Sequence, residues 1–181
     1  MTDILRTIKD ELPKAYERVE KLHRGEKALG GLGTGFGQLD NIISGLRPSD
    51  MIVIGARPSL GKTSLALDIA RHVALNEKVP GGIFSLEMSR DQLVDRFLSA
   101  VSGVPLWKLR TGRLSDDSDF ELLQTGLDRL SGAPVYIEDN ASPNILEMRS
   151  MARRLQAEHG LGLLIIDYLQ LIQPRTKSDN I

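Results

Sequence analysis

Met51-Ile52-Val53-Ile54-Gly55-Ala56-Arg57-Pro58-Ser59-Leu60-Gly61-Lys62-Thr63-Ser64 is the stretch on which the fold turns. Its first four residues form an apolar run, the pattern of a short buried strand. A glycine-bounded turn follows, and from Lys62 to about Leu75 the apolar spacing is helical. Strand, turn and helix N-terminus in this order are the setting a phosphate-binding loop requires.

Downstream the alternation continues. Gly82 to Leu86 reads as a second strand, Pro134 to Ile137 as a third and Leu163 to Ile166 as a fourth. Between them, Ser89 caps a helix, with Gln92 placed to complete a capping box. Further helix is expected around Leu106 to Arg110, from Ser115 to Leu130, and from Asn144 to His159, ending at Gly160. Short aliphatic strands separated by helices imply an α/β fold with a mostly parallel sheet covered on both faces. Upstream, Phe36 to Leu46 reads as a short helix closed by Gly45, and Gly25 to Gly35 as a flexible linker. Ile4, Leu5, Ile8, Leu12, Ala15, Val19 and Leu22 form an opening stripe at helical spacing. Pro13 interrupts it, so a kink or two helical segments are expected there.

Composition sets the limits. A chain of 181 residues is long enough for one domain with a sizeable core. Apolar residues make up 41% and charged residues 26%, as in ordinary globular proteins. With 4% aromatic residues the core must be mostly aliphatic. No apolar run is long enough to span a membrane, and the first residues lack the order of a secretion signal. Cysteine is absent, which excludes disulfides and thiolate metal sites. His23, His72 and His159 are scattered and read as solvated groups. A cytoplasmic location is expected. The formal net charge of −1 argues neither for nor against nucleic acid, so any such contact needs a local basic patch or a ring of subunits.

The candidate phosphate site is Ala56, Arg57, Pro58, Ser59, Leu60, Gly61, Lys62, Thr63 and Ser64. Loop and helix N–H groups pointing inward favour a polyphosphate. Gly61 allows close approach of the backbone. Lys62 brings a positive charge to the outer phosphates, and Thr63 offers its hydroxyl to Mg²⁺, which takes few protein ligands and keeps its waters. Ala56 stands where the usual loop pattern has its first glycine, with Gly55 one residue earlier. The competing reading is a chance Gly-Lys-Thr at a helix start. Two carboxylates fit as partners. Asp167 ends the fourth strand and is a candidate Walker B metal ligand, or else a turn cap. Glu87 ends the second strand, where ligands bind in open parallel sheets. It is a candidate general base for water, or else a cap for the helix near Ser89.

With that loop, Ser85-Leu86-Glu87-Met88-Ser89 and Asp167-Tyr168-Leu169-Gln170-Leu171, the chain resembles the RecA-type motor domain of bacterial replicative helicases, the DnaB family. Gly33-Thr34-Gly35-Phe36 with Leu39-Asp40, Gly45 to Asp50, and Leu109-Arg110-Thr111-Gly112 add to the likeness, which runs from about Leu5 onward. The resemblance implies ATP and Mg²⁺ as cofactors, ATP hydrolysis, a hexameric ring, and 5′-to-3′ movement on single-stranded DNA that unwinds the duplex. It assigns Lys62 and Thr63 to phosphate and Mg²⁺, Asp167 to the metal and Glu87 to the general base. Primase and a helicase loader are the implied protein partners, with no membrane involved. It further implies a linker helix over 1–24 that docks on a neighbouring subunit, a flexible linker over 25–35, and a RecA-type ATPase domain over 36–181. Family members extend past Walker B with a γ-phosphate sensor, a second DNA loop and an arginine finger. The chain is therefore expected to be a C-terminally truncated piece that binds nucleotide but hydrolyses it poorly and does not unwind. Pro174 to Ser178 stands where the first DNA loop would begin, or is a polar terminus. Two other readings remain: another RecA-type ATPase such as a recombinase relative, and a non-catalytic oligomerisation fragment that holds nucleotide.

Overall fold

Three parallel strands order the larger part of the chain. The computed structural model describes residues 7–25, 30–115, 117–140 and 144–172, in two compact units, Met1–Asp50 and Met51–Ile181.

In the second unit, β1 (Gly81–Ser85) is central, with β2 (Val135–Glu138) on one side and β3 (Leu163–Asp167) on the other. Both pairings are parallel; Gly81 stands opposite Val135 and Leu163, and Ser85 opposite Asp167. The helices of this unit are α3 (Lys62–His72), α4 (Arg90–Ser102), α5 (Leu106–Thr111), α6 (Asp117–Ser131) and α7 (Ile145–His159). A π-helical turn, Val73–Glu77, prolongs α3, and its Val73 and Ala74 are buried. Alternation along β1 divides the packing between two faces. Ile83 joins Leu67 and Ala70 of α3 and Leu93 and Phe97 of α4 in the main core. Gly82 faces the other way, where an added Cβ would lie 3.1 Å from Leu155 of α7 and 3.2 Å from Leu164. Helices therefore cover both faces of an α/β sheet.

Local sequence chemistry sets the helix starts. Ser89 Oγ accepts from the Gln92 N–H, and Gln92 Oε1 accepts from the Ser89 N–H, closing the expected capping box on α4. Asn144 and Glu147 form a second box on α7, which a similar spacing in the sequence would have shown. Such caps contribute about 0.5–2 kcal/mol each.

Several expectations need correction. Met51 to Ile54 is not a buried strand: no ladder includes it, and Met51, Ile52 and Val53 are exposed. An apolar run reports what a segment could bury, while a strand exists only through paired neighbours. Among the described residues, the ladders close between β1, β2 and β3 alone. Burial of the sheet is also uneven, since β1 is buried throughout whereas β3 leaves Leu164 exposed. Smaller shifts place β1 one residue earlier than expected and end α3 at His72.

In the first unit, α1 (Ile8–His23) runs unbroken through Pro13 rather than as two segments. The proline removes one backbone bond near the N-terminal end, and the remaining turns keep theirs. No residue of α1 is buried, and Ile8, Leu12 and Val19 stand exposed. Ile4 and Leu5 of the stripe, and 174–178, lie outside the described residues. α2 (Gly37–Ile43) is shorter than Phe36 to Leu46 because Ser44 caps it in a left-handed conformation, φ 58°. Gly45 then turns the chain so that Leu46 and Leu32 exchange backbone bonds of 2.8 and 2.9 Å. Gly31 is required there, because a Cβ would fall 2.3 Å from the Leu46 carbonyl oxygen. Buried Thr34 donates its N–H and hydroxyl to Asp40 Oδ1 at 2.8 and 2.7 Å. Within the stretch expected as a tether, Gly31 to Thr34 thus packs on the chain around α2.

One ion pair joins α5 to α6 and gives a pH prediction. Lys108 Nζ donates to Asp119 Oδ2 at 2.7 Å, and the Ser115 N–H does so at 3.0 Å. The Lys108 bond, with that of Ser115, holds the Asp119 carboxyl below the usual carboxylate range. A group with a depressed folded pKa stabilises above its unfolded value and loses that contribution as pH falls through the folded one. Asp119→Asn is therefore expected to lower Tm at pH 7, with the gap to wild type narrowing below about pH 4. Thermal melts from pH 7 to pH 2.5 check this; a gap constant with pH would deny the pair its role.

Candidate phosphate and metal site

β1 is flanked by its successor in sequence on one side and by β3 on the other, so the sheet order reverses at β1. Ligand crevices of open α/β sheets lie outside the strand C-termini at such a point. The candidate residues come to this edge. The Leu86 N–H donates to the Asp167 carbonyl at 2.8 Å, tying the ends of β1 and β3 together.

The loop before α3 is shaped by two left-handed residues, Ser59 (φ 64°) and Gly61 (φ 84°). Left-handed residues separated by one position turn successive N–H groups toward a common concavity, an arrangement that favours anions. Glycine adopts that conformation freely, whereas at Ser59 it is strained. No side chain caps α3, so its first N–H groups are not taken by a capping oxygen. Ala56, Arg57, Pro58, Ser59, Leu60, Gly61 and Ser64 are exposed, and Lys62 and Thr63 are half-buried.

Lys62, Thr63 and Asp167 meet. Lys62 Nζ lies 2.7 Å from Asp167 Oδ1, and Thr63 Oγ1 donates to Asp167 Oδ2 at 2.5 Å. Asp167 is buried, and its carboxylate serves these two partners from across the sheet edge. The convergence of a hydroxyl and a carboxylate oxygen fits Mg²⁺, a hard ion that takes one or two protein oxygens and completes its shell with water and phosphate.

Glu87 does not join this cluster. It is exposed, on the turn just past β1. Ser85 Oγ shapes that turn, donating to the Met88 carbonyl at 2.7 Å and accepting from the Met88 N–H at 3.3 Å. The start of α4 is satisfied by Ser89, Gln92 and Asp139, whose Oδ2 accepts from the Arg90 N–H at 2.8 Å. Two contacts escaped the sequence reading. Tyr168 places its ring 4.2 Å from Lys62 Nζ, and Arg96 of α4 reaches Ser64 Oγ at 3.4 Å. Only the adjacency of Tyr168 to Asp167 could have signalled the first; Arg96 carried no signal.

The family described as the DnaB-like helicase C-terminal domain matches residues 31–181. This chain belongs to that family. Among relatives of this DnaB-like domain, the replicative DNA helicase DnaB of Geobacillus stearothermophilus is 44% identical over 173 residues, covering 96% of this chain and 38% of that protein. The replicative DNA helicase DnaC of Bacillus subtilis (strain 168) is 41% identical over 177 residues, covering 98% and 39%. The chain thus spans well under half the length of these relatives. Among solved structures, one described as an ATPase domain superposes with a TM-score of 0.87 at 26% identity, covering 96% of this chain and 61% of that one. A DnaB-like replicative helicase, described with its interactions with primase, gives 0.82 at 26% identity, covering 98% and 42%. The fold is the RecA-type ATPase core of DnaB-like helicases, in agreement with the resemblance and not with a recombinase relative. No described helix is long and apolar enough to cross a membrane.

Proposed function

We propose that this chain is the ATP-binding and hydrolysing motor portion of a hexameric replicative helicase, moving 5′ to 3′ on single-stranded DNA in the cytoplasm. The observation that carries this reading is the convergence of Lys62 and Thr63 on Asp167 at the C-terminal edge of the sheet. The loop N–H groups from Ala56 to Ser64 and the Lys62 ammonium hold the triphosphate. Thr63 and Asp167 hold Mg²⁺, which when bound supplies charge neutralisation on the phosphates. Glu87 accepts a proton from the attacking water, and its exposed position past β1 supports that role. Primase and a loader are the proposed protein partners, and 174–178, outside the described residues, the proposed first DNA loop. An arginine finger supplied by a neighbouring subunit is worth roughly 10³–10⁵ in rate in related NTPases. A lone chain is accordingly expected to hydrolyse ATP far more slowly than an assembled ring.

The ring needs a subunit contact, and we assign it to residues 1–24, which carry α1, joined through 25–35 to the ATPase domain of 36–181. Exposed Ile8, Leu12 and Val19 of α1 support this, since each large aliphatic side chain left in water forgoes roughly 1.5–3 kcal/mol. A head-to-tail contact of this kind closes a ring or propagates as a filament. Deleting residues 1–24 is expected to reduce self-association in sedimentation while nucleotide binding persists. Unchanged self-association, or loss of the fold on deletion, would return the helix to its own chain.

A further inference from the structure

Two residues adjacent in sequence hold Lys62 from two sides. Its Nζ is 2.7 Å from Asp167 Oδ1 and 4.2 Å from the centroid of the Tyr168 ring. Thr63 occupies the other Asp167 oxygen at 2.5 Å. The Lys62 ammonium, the Thr63 hydroxyl and both Asp167 oxygens are therefore already bonded to one another within the site. The Lys62 side chain is 28% exposed, so water screens these attractions only in part. The ring face attracts a cation through its quadrupole, in addition to the carboxylate.

We propose that Tyr168 is a positioning residue whose ring latches the Lys62 ammonium onto Asp167 in the nucleotide-free site, so that nucleotide binding must first release the lysine. The inference rests on the nucleotide-binding reading above. Two cations at one carboxylate repel each other, so a divalent ion at Asp167 favours departure of Lys62 toward the phosphates. Without the ion, the phosphates alone must draw the ammonium from both carboxylate and ring. The latch thus weakens binding of metal-free nucleotide more than binding of the metal complex, which couples the two ligands reciprocally. A merely structural role for Tyr168 would have the opposite sign, since damage to the site weakens binding.

Calorimetric titration of ATP, in EDTA and in Mg²⁺, into the 181-residue chain and its Tyr168→Leu and Tyr168→Phe variants tests this. Tyr168→Leu is expected to bind metal-free ATP about two- to tenfold more tightly than wild type, with a smaller gain in Mg²⁺; Tyr168→Phe keeps the ring and the wild-type affinities. Proton NMR gives a readout that needs no mutation. The Lys62 ε-methylene protons should show an upfield ring-current shift in the nucleotide-free wild type that disappears at saturating ATP. Wild-type binding combined with a Leu variant that binds equally or more weakly would overturn the latch alone. So would a ring-current shift that is absent from the wild type or persists at saturation. A wild type that binds no ATP in either buffer would instead remove the nucleotide reading, and the latch with it.

Discussion

Glu87→Gln, placed in a ring-forming protein that carries this chain, is expected to leave ATP bound while turnover falls by about 10²–10⁴-fold, the usual contribution of a positioned general base. The substitution keeps size and hydrogen-bonding reach but removes the basic oxygen. Position motivates the choice. Glu87 lies two residues beyond Ser85, the register partner of Asp167, on a turn that Ser85 Oγ fixes through both bonds to Met88. Capping of α4 is carried by Ser89, Gln92 and Asp139, which leaves the Glu87 carboxylate available for water. Filter binding and single-turnover hydrolysis on the same preparation separate the two effects. Hydrolysis at the parental rate would end the general-base assignment.

Lys62→Ala is expected to weaken triphosphate binding roughly tenfold to a hundredfold, because a hydrogen bond to a charged group contributes about 1.5–3 kcal/mol. The lysine has a second effect that must be separated from the first. In the nucleotide-free protein it neutralises buried Asp167, and removing one partner of such a pair destabilises the fold. Thr63 still donates to Asp167 in the variant, and Lys62 is partly exposed, so the loss is expected to be well short of unfolding. A thermal melt without nucleotide measures that loss, and the affinity difference is read beside it. A variant that folds normally and binds ATP as the wild type does would remove the phosphate loop from the account.

Much of this architecture is legible because it is written in local chemistry. Gly61 before Lys62, Ser89 with Gln92, and the aliphatic runs at 82–86, 134–137 and 163–166 each determine a conformation within a few residues, and the structure places their elements within one or two positions. Met51 to Ile54 misleads for the complementary reason, that pairing depends on partners elsewhere in the chain. The fold around α2 is hidden for the same cause: Gly31 is required by the Leu46 carbonyl, fifteen residues away, and Thr34 by Asp40. At the site, the motif indicates Lys62, Thr63 and Asp167 one by one. It does not show that they bond one another or that Tyr168 backs the lysine, since the distances between elements are a property of the sheet and not of the motif.

The central claim is that nucleotide and Mg²⁺ share the Lys62, Thr63 and Asp167 cluster. The most direct measurement is calorimetric titration of ATP into the 181-residue chain, wild type and Lys62→Ala side by side, with and without Mg²⁺. Saturable binding to the wild type is expected, strengthened by Mg²⁺ and reduced roughly tenfold or more by the substitution. Binding indifferent to both Mg²⁺ and Lys62 would contradict it.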